Sequence, residues 1–371
     1  MKGIGKSKCF KIRSAIVKVL KLETSFVASL KLYLFQYNNR YGNTYSLMIG
    51  GETLIFMSDY KTIKEVFNDE KSNFRPIGSH DFRKAWADFK GGDGFSGIAD
   101  SHGKVWKEQR RFALQHLKDF GFGKASMEAQ IQEEIQEFTS DLNNKINENE
   151  AIDFGVSFNI TVMSVLSRII SRTRFDINKK EDKKMFLDLS KLFELIGGFK
   201  VFLCFGAPYS LKEYNPYYKT IIGIVNSMYD MITKQKNEHL KTYDENDMRD
   251  FMDCYLTEMN HATDTGDTSS SFYGERGEVH LKASILDLYI AGSETSSTTL
   301  LFCIIYMVNF PDIQKKVQEE IDRVIGPNRA PSFTDKPQLP YLEATLSEIQ
   351  RCAHVSHQSI VVRMHYFNFA F

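Results

Sequence analysis

The 371-residue sequence contains only 8 prolines and 5 cysteines, and its 47 Lys and Arg are balanced by 47 Asp and Glu. So little proline permits long uninterrupted helices. The cysteines show no CxxC spacing, so the sequence predicts neither a disulfide framework nor a structural zinc site, and it fits a reducing compartment. A formal net charge of zero argues against a nucleic-acid partner bound through a globally basic surface.

The amino-terminal region has no charge-free apolar run of about 18 residues, the length that a membrane-spanning helix requires. Residues 1–40 contain nine Lys or Arg and a single acid, Glu23. A transmembrane helix and a secretory signal-peptide core are therefore not expected here. Three interpretations stay open: a basic amphipathic helix on an anionic membrane surface, a solvated basic segment, and a mitochondrial presequence. We assign residues 1–24 to this basic lead-in.

Apolar residues make up 42% of the chain and aromatic residues 13%, which is enough for a large packed core. Two short apolar runs separated by Gly-Gly-Glu, Tyr45–Ile49 and Thr53–Met57, predict a β-hairpin followed by a short helix capped by Ser58 or Asp59. Apolar spacings of three and four predict helices over most of the rest. Their expected positions are 102–117, 127–146, 155–170, 183–196, 216–240 and 249–259. The predicted fold class is mainly α with a small β-sheet near the N-terminus.

The segment from Leu281 to Phe310 contains no proline and is largely apolar. Because Asp287 and Glu294 lie in its middle, where a charge in lipid is costly, we predict a long helix in a protein core instead of a membrane span. By contrast, residues 71–101 are rich in glycine and residues 261–278 in Thr, Ser, Gly and Asp. Both are predicted to be loops, and the second an exposed one.

Within this long helix, the run Ala291-Gly292-Ser293-Glu294-Thr295 is unusually polar. Hydroxyls that bond to the carbonyl four residues earlier, next to a glycine, can bend or open a helix. Such an opening would form a small hollow, in which Thr295 could hold a diatomic molecule or a water and Glu294 could supply protons. The alternative is a packing seam lined by Ser and Thr, which the run alone favours.

Two further pairs occur at helical spacing. Trp106 and Arg110 would offer an indole N–H and a guanidinium to one carboxylate or phosphate. Glu348 and Arg351 would form an ion pair, which needs further hydrogen bonds if it is buried. Each pair alone is more typical of an ordinary surface. No metal site is predicted from the three histidines near the carboxyl end, which are expected to face solvent: His354, His357 and His365.

The order of these motifs is more specific than any one of them. Together they resemble the cytochrome P450 superfamily, most closely the microsomal, drug- and steroid-metabolising family 2 monooxygenases. The resemblance runs from Glu23 to Arg351, and we assign residues 25–363 to a partial cytochrome P450 domain. The matching segments are Tyr41–Leu47, Tyr60–Val66, Trp106–Phe112, Arg174–Asp176, Ala291–Leu300, Glu320–Gly326, Leu339–Tyr341 and Ser347–Arg351.

The resemblance implies a haem b cofactor and the NADPH- and O₂-dependent hydroxylation of a lipophilic small molecule. It also implies NADPH-cytochrome P450 reductase as a partner and the cytosolic face of the endoplasmic reticulum membrane as the location, with a cytosolic or peripheral chain as the alternative. By the same resemblance, substrate contacts are expected from residues 71–101 and 190–215. The face of the long helix around Asp287 and Ala291 is expected to contribute as well.

Site residues are carried over motif by motif. Trp106 and Arg110 would hold a haem propionate, and Arg75 would add a further contact. The lining of the O₂ pocket and the delivery of protons would fall to four residues: Ala291, Gly292, Glu294 and Thr295. The pair formed by Glu348 and Arg351 would be buried and would support the haem-side core.

The sequence departs from the family after this ion pair. The family's iron ligand is a cysteine in an FxxGxxxCxG loop, and the 20 residues after Arg351 contain no such loop. Residues 364–371 resemble nothing in the family. Two hypotheses stand: an incomplete form of a haem-thiolate monooxygenase, with its axial cysteine missing, or a non-catalytic binding or decoy protein without stable haem.

Overall fold

The computed structural model describes residues 36–49, 52–69, 85, 87–92, 94–120, 125–148, 151–176, 179–196 and 209–353. These residues are mainly helical, with one small sheet, as the sequence predicts. The strands are β1 (Thr44–Ile49) and β2 (Glu52–Met57). The helices are α1 (Tyr60–Asn68), α2 (Gly103–Asp119), α3 (Ala125–Asn147), α4 (Phe154–Ser171), α5 (Lys180–Ile196), α6 (Pro216–Lys241), α7 (Phe251–Asp264), α8 (Gly274–Asn309), α9 (Pro311–Val324) and α10 (Pro340–Ala353), with 3-10 turns at Tyr209–Tyr214 and Phe333–Gln338.

The chain divides into two compact units. The first comprises Met1–Phe82, Leu195–Tyr218 and Val362–Phe371, and the second comprises Arg83–Glu194 and Lys219–Val361. In the first unit, β1 and β2 form the predicted antiparallel hairpin. The Asp59 carboxylate caps α1 by accepting a hydrogen bond from the Thr62 amide at 2.9 Å. An acceptor at this position satisfies an amide that has no partner within the helix.

The second unit is built around α8, which continues without interruption for 36 residues. Its most extensive helix contact in the described chain is with α4. A Cβ on Gly292 would lie 2.9 Å from both Cδ atoms of Leu166 on α4, so the missing side chain permits this close approach. By length and composition, both α4 and α8 could cross a membrane. In the described residues the two helices pack on each other.

The prediction of an exposed loop over residues 261–278 is wrong. Helix α7 continues to Asp264, α8 already begins at Gly274, and the connection between them is partly buried. The Phe272 ring lies 5.2 Å from that of Phe112 and 5.0 Å from that of Tyr255, centroid to centroid. The burial of this one aromatic side chain places part of a polar segment in the core. The average composition of the segment does not indicate this.

The loop from Gly94 to Asp100 lies directly on α8. Gly97 adopts a φ of +77°, and its amide donates to Nδ1 of His280 at 3.2 Å. A Cβ on Gly97 would clash with the Asp287 carboxylate and would lie 2.9 Å from the carbonyl carbon of Ala283. Glycine is therefore required here both by the left-handed backbone and by the contact with α8.

We predict that Gly97→Ala lowers the free energy of unfolding more than Gly266→Ala does. Gly266 has a similar φ of +63° but no atom within 4 Å of its Cβ position, so this control isolates the backbone strain. The strain should cost roughly 1–2 kcal/mol in both variants. The clash at Gly97 should add about 1–3 kcal/mol, measured by urea unfolding. Equal losses in the two variants would contradict the close contact with α8.

Candidate active site

Helix α2 is held in place by Gln109, a buried residue inside its Trp106–Phe112 motif. The Gln109 side-chain amide donates to the Ser271 hydroxyl at 3.0 Å. Its carbonyl oxygen accepts from Tyr255 at 2.9 Å and from Ser284 at 3.2 Å. Burial raises the pKa of Tyr255, so its hydroxyl remains a donor. Sequence reasoning missed Gln109, although three hydrogen bonds to buried partners make it the main polar anchor of α2.

Trp106 and Arg110 lie together on α2, as their spacing predicts. The Arg110 guanidinium carbon is 5.5 Å from the centroid of the Trp106 ring, a cation–π contact. Trp106 is half-buried and Arg110 is exposed. A guanidinium stacked on an indole keeps its N–H groups at its edge, where they can bind a carboxylate or phosphate.

The hydroxyls of the polar run on α8 bond to the carbonyls one turn earlier. Thr295 donates to the Ala291 carbonyl at 2.5 Å, and Thr299 donates to the Thr295 carbonyl at 2.8 Å. The helix nevertheless stays closed, so the predicted opening at Gly292 is not observed. A carbonyl oxygen has two lone pairs and can accept a hydroxyl while keeping its amide partner. Ala291 and Thr295 form an exposed stripe one turn long.

Glu294 points away from this stripe. Its carboxylate accepts a hydrogen bond at 2.9 Å from the side-chain amide of Asn159, a buried residue of α4. Gly292 also faces α4, where its backbone packs closely against the side chain of Leu166. The run therefore has two faces: a packing seam against α4, and an exposed stripe that contains the Thr295 hydroxyl.

Asp287 does not belong to an open face, contrary to the expectation that it lies among substrate contacts. One of its oxygens pairs with the Lys90 ammonium, and the other accepts from the amides of Ile98 and Ala99 at 2.8 and 2.9 Å. Lys90, only 2% exposed, also pairs with Asp100 at 2.9 Å. Burial lowers the pKa of Lys90, but the two carboxylates outweigh it and hold that pKa above its ordinary value. A charged network therefore joins the loop to α8.

Glu348 and Arg351 form the predicted pair, but the pair is exposed. Arg351 donates to both carboxylate oxygens of Glu348, at 2.7 and 2.6 Å, and this lowers the pKa of Glu348. Their side chains are 62% and 68% exposed. The sequence analysis expects this pair to be buried. Within the described residues it is exposed, because no described element covers this face of α10.

A sequence model described as "Cytochrome P450" matches residues 13–364. The chain belongs to the cytochrome P450 family. It is similar to human cytochrome P450 2J2, with 33% identity over 85% of this chain and 60% of that protein. It is also similar to mouse cytochrome P450 2U1, with 33% identity over 87% of this chain and 59% of that protein. The chain spans about three fifths of the length of these P450 relatives.

The fold is that of a P450 as well. A solved zebrafish cytochrome P450 structure with progesterone matches 86% of this chain and 69% of its own, with a TM-score of 0.71 and 22% identity. At this identity the likeness shows the fold alone. Arg75 and the three histidines after Ala353 lie outside the described residues.

The haem that the family implies can be tested against the donors present. The Arg110 guanidinium beside the Trp106 indole has the donor chemistry that a haem carboxylate needs. The cysteines fit less well. Burial raises the pKa of Cys254 to about 12 and also raises that of Cys303, so both thiols stay protonated. Cys352 lies beside the exposed ion pair, with its sulfur 3.2 Å from Nη2 of Arg351. The described residues thus offer donors for a haem carboxylate, but the described cysteines do not fit its axial thiolate.

We predict that Lys90→Met lowers the free energy of unfolding by about 3–5 kcal/mol, because it leaves the buried Asp287 carboxylate without its cation. Lys315→Met is the matched control. Lys315 is 76% exposed, and its ammonium lies 3.7 Å from Glu319. The control should change stability by at most about 0.5 kcal/mol. Urea unfolding of both variants measures the difference. A loss at Lys90 no larger than the control's would show that the network contributes nothing.

Proposed function

We propose that the protein containing these residues is a haem-thiolate monooxygenase that uses O₂ and electrons from NADPH to hydroxylate a lipophilic small molecule. The observation that carries this proposal is the exposed pair Ala291 and Thr295 on α8, in a chain of the P450 family. The Thr295 hydroxyl lies one turn from the small side chain of Ala291 on the same exposed face. The family motif assigns the same positions to the oxygen side of the haem.

When bound, the haem supplies the activation of O₂ and the transfer of electrons. Trp106 and Arg110 would hold one of its propionates through the indole N–H and the guanidinium edge. Such charge-assisted hydrogen bonds are about twice as strong as neutral ones. Arg75 would add a further propionate contact. The Gln109 anchor supports this role, since it fixes the helix that carries both donors.

Thr295 would direct protons on the exposed side of α8. Its hydroxyl hydrogen is engaged by the Ala291 carbonyl, so the lone pairs of its oxygen can accept a hydrogen bond from a water. Glu294 is the proposed proton source. Because its carboxylate is bonded to Asn159 on the α4 side, it would have to rotate toward Thr295 to deliver a proton. Ala291 would line the pocket with its methyl group, and Gly292 would leave room beside it.

The substrate, partner and location follow the family. The steroid in the zebrafish structure belongs to that protein, and here it supports only a lipophilic substrate. We propose contacts from residues 71–101 and 190–215 and from Ala291, with Asp287 removed because it is buried. NADPH-cytochrome P450 reductase would deliver electrons at the cytosolic face of the endoplasmic reticulum, and residues 1–24 would contact the membrane surface.

A polypeptide of these 371 residues alone is proposed to be inactive, because a thiolate ligand is needed to promote O–O cleavage. After reduction and exposure to carbon monoxide, it should lack the absorption band that gives the family its name. A chimera that adds a family-type cysteine loop after Arg351 should show the band. A clear band from the 371 residues would contradict the proposal. A folded chimera that binds no haem would favour the non-catalytic binding protein.

In that extended enzyme, we predict that Thr295→Val separates NADPH consumption from product formation, whereas Thr299→Val does not. Both hydroxyls bond to a carbonyl one turn earlier, so the control matches the local helix change. Product per NADPH should fall about tenfold or more in Thr295→Val, with hydrogen peroxide released instead. Equal ratios of product to peroxide in the two variants would leave Thr295 only a packing role.

A further inference from the structure

A second cluster of polar side chains lies away from α8, where the end of α6 meets the start of α7. His239, Asp250 and Asp253 are at most 9% exposed, and one ligand atom from each lies within 4.8 Å of the other two. Nδ1 of His239 is 2.9 Å from Oδ1 of Asp253 and 3.6 Å from Oδ2 of Asp250. None of these residues has a part in the proposed monooxygenase site.

The orientation of the His239 ring is set by its other nitrogen. Nε2 lies 3.2 Å from the carbonyl oxygen of Ser171. A carbonyl can only accept, so Nε2 carries a proton and donates it, and this fixes the ring with Nδ1 toward the two carboxylates. Histidines that ligate metals commonly donate their other N–H to a backbone carbonyl in this way.

Asp250 provides an independent observation. Its Oδ1 accepts the amide of Asp253 at 3.0 Å and caps α7. Its Oδ2 is buried and has no hydrogen-bond partner. A buried carboxylate oxygen without a partner is costly, so its position requires an explanation. This oxygen is directed into the cluster, toward Nδ1 of His239.

Asp253 is held rigidly by Arg249. The guanidinium Nε donates to Oδ2 at 2.5 Å, and Nη2 donates to Oδ1 at 3.0 Å. Oδ1 keeps a second lone pair on the side of His239. The two carboxylates face only one permanent cation, the Arg249 guanidinium, so the remaining positive charge must come either from a proton on Nδ1 of His239 or from a bound cation in its place.

We propose that His239, Asp250 and Asp253 bind a divalent metal ion of the zinc type. Tetrahedral zinc with bonds of about 2.0–2.2 Å places its ligand atoms about 3.3 Å apart. The two distances from Nδ1, 2.9 and 3.6 Å, bracket that spacing. One imidazole and two carboxylates suit Zn²⁺ or a similar ion.

A cavity of about 650 Å³ adjoins the cluster and is lined in part by His239, Arg249 and Asp250. It gives the ion an entry path and room for a water as the fourth ligand. The bound ion would join the end of α6 to the start of α7. Its role would be structural and separate from the proposed oxidation chemistry.

The test is zinc titration of the 371-residue protein, freed of metal by a chelator, in a calorimeter. We expect one zinc ion per chain at this cluster, with a dissociation constant of micromolar or tighter. His239→Gln and Asp250→Asn should each weaken it about tenfold or more. His261→Gln, on the exposed face of α7, is the matched control and should bind as the unchanged protein does. Zinc binding that is absent, or that both variants leave intact, overturns the proposal.

Cobalt gives a second readout on the unchanged protein, which serves if a variant fails to fold. Co²⁺ in a tetrahedral site of nitrogen and oxygen ligands should give strong visible absorption without the near-ultraviolet band of sulfur ligation. Weak absorption typical of six-coordinate cobalt, or a sulfur band alone, overturns the proposal. In that case a proton on Nδ1 of His239, and not a metal ion, would join the histidine to the two carboxylates. Circular dichroism of each variant without metal verifies that it is folded.

Discussion

The buried ion pair between Lys90 and Asp287 is the contact on which the arrangement of the site depends. Asp287 lies on the most buried part of α8, and its second oxygen receives the amides of Ile98 and Ala99. The loop that it fixes continues into α2, the helix that carries Trp106 and Arg110. An uncompensated charge in the core would be costly, so the loop, the lysine and α8 must adopt this arrangement together.

Buried polar contacts also determine how α2 lies on the helices beneath it. Gln109 joins α2 to Tyr255 on α7 and to Ser284 on α8, beside the aromatic contacts of Phe112. Apolar packing alone would tolerate small shifts of α2 along its axis. Hydrogen bonds with defined directions do not, so they fix the position of the donor pair.

The polar run on α8 combines two interpretations that the sequence presents as rivals. Gly292 and Glu294 serve contact with α4, through Leu166 and Asn159 respectively. Ala291 and Thr295 lie on the exposed side. Because successive helical residues are rotated by about 100°, neighbouring residues in one motif can serve packing and chemistry separately. Membership of the P450 family does not distinguish the exposed residues of this run from those packed on α4, whereas the structure does.

Apolar periodicity and short motifs were sufficient to predict most of the helices, the hairpin, a cap at Ser58 or Asp59, and the family. These signals are local, because they depend on residues within a few positions of one another. The pairing of Trp106 with Arg110 and of Glu348 with Arg351 is equally local, since both spacings place side chains on one helix face.

The tertiary structure decided what depends on partners distant in sequence. It buried Asp287 against Lys90, drew Phe272 into the core and left the Glu348–Arg351 pair exposed. It also brought His239 to Asp250 and Asp253, which no sequence spacing indicates. Burial and the convergence of side chains are set by how helices pack, and a helix pattern specifies which face is apolar but not which neighbour covers it.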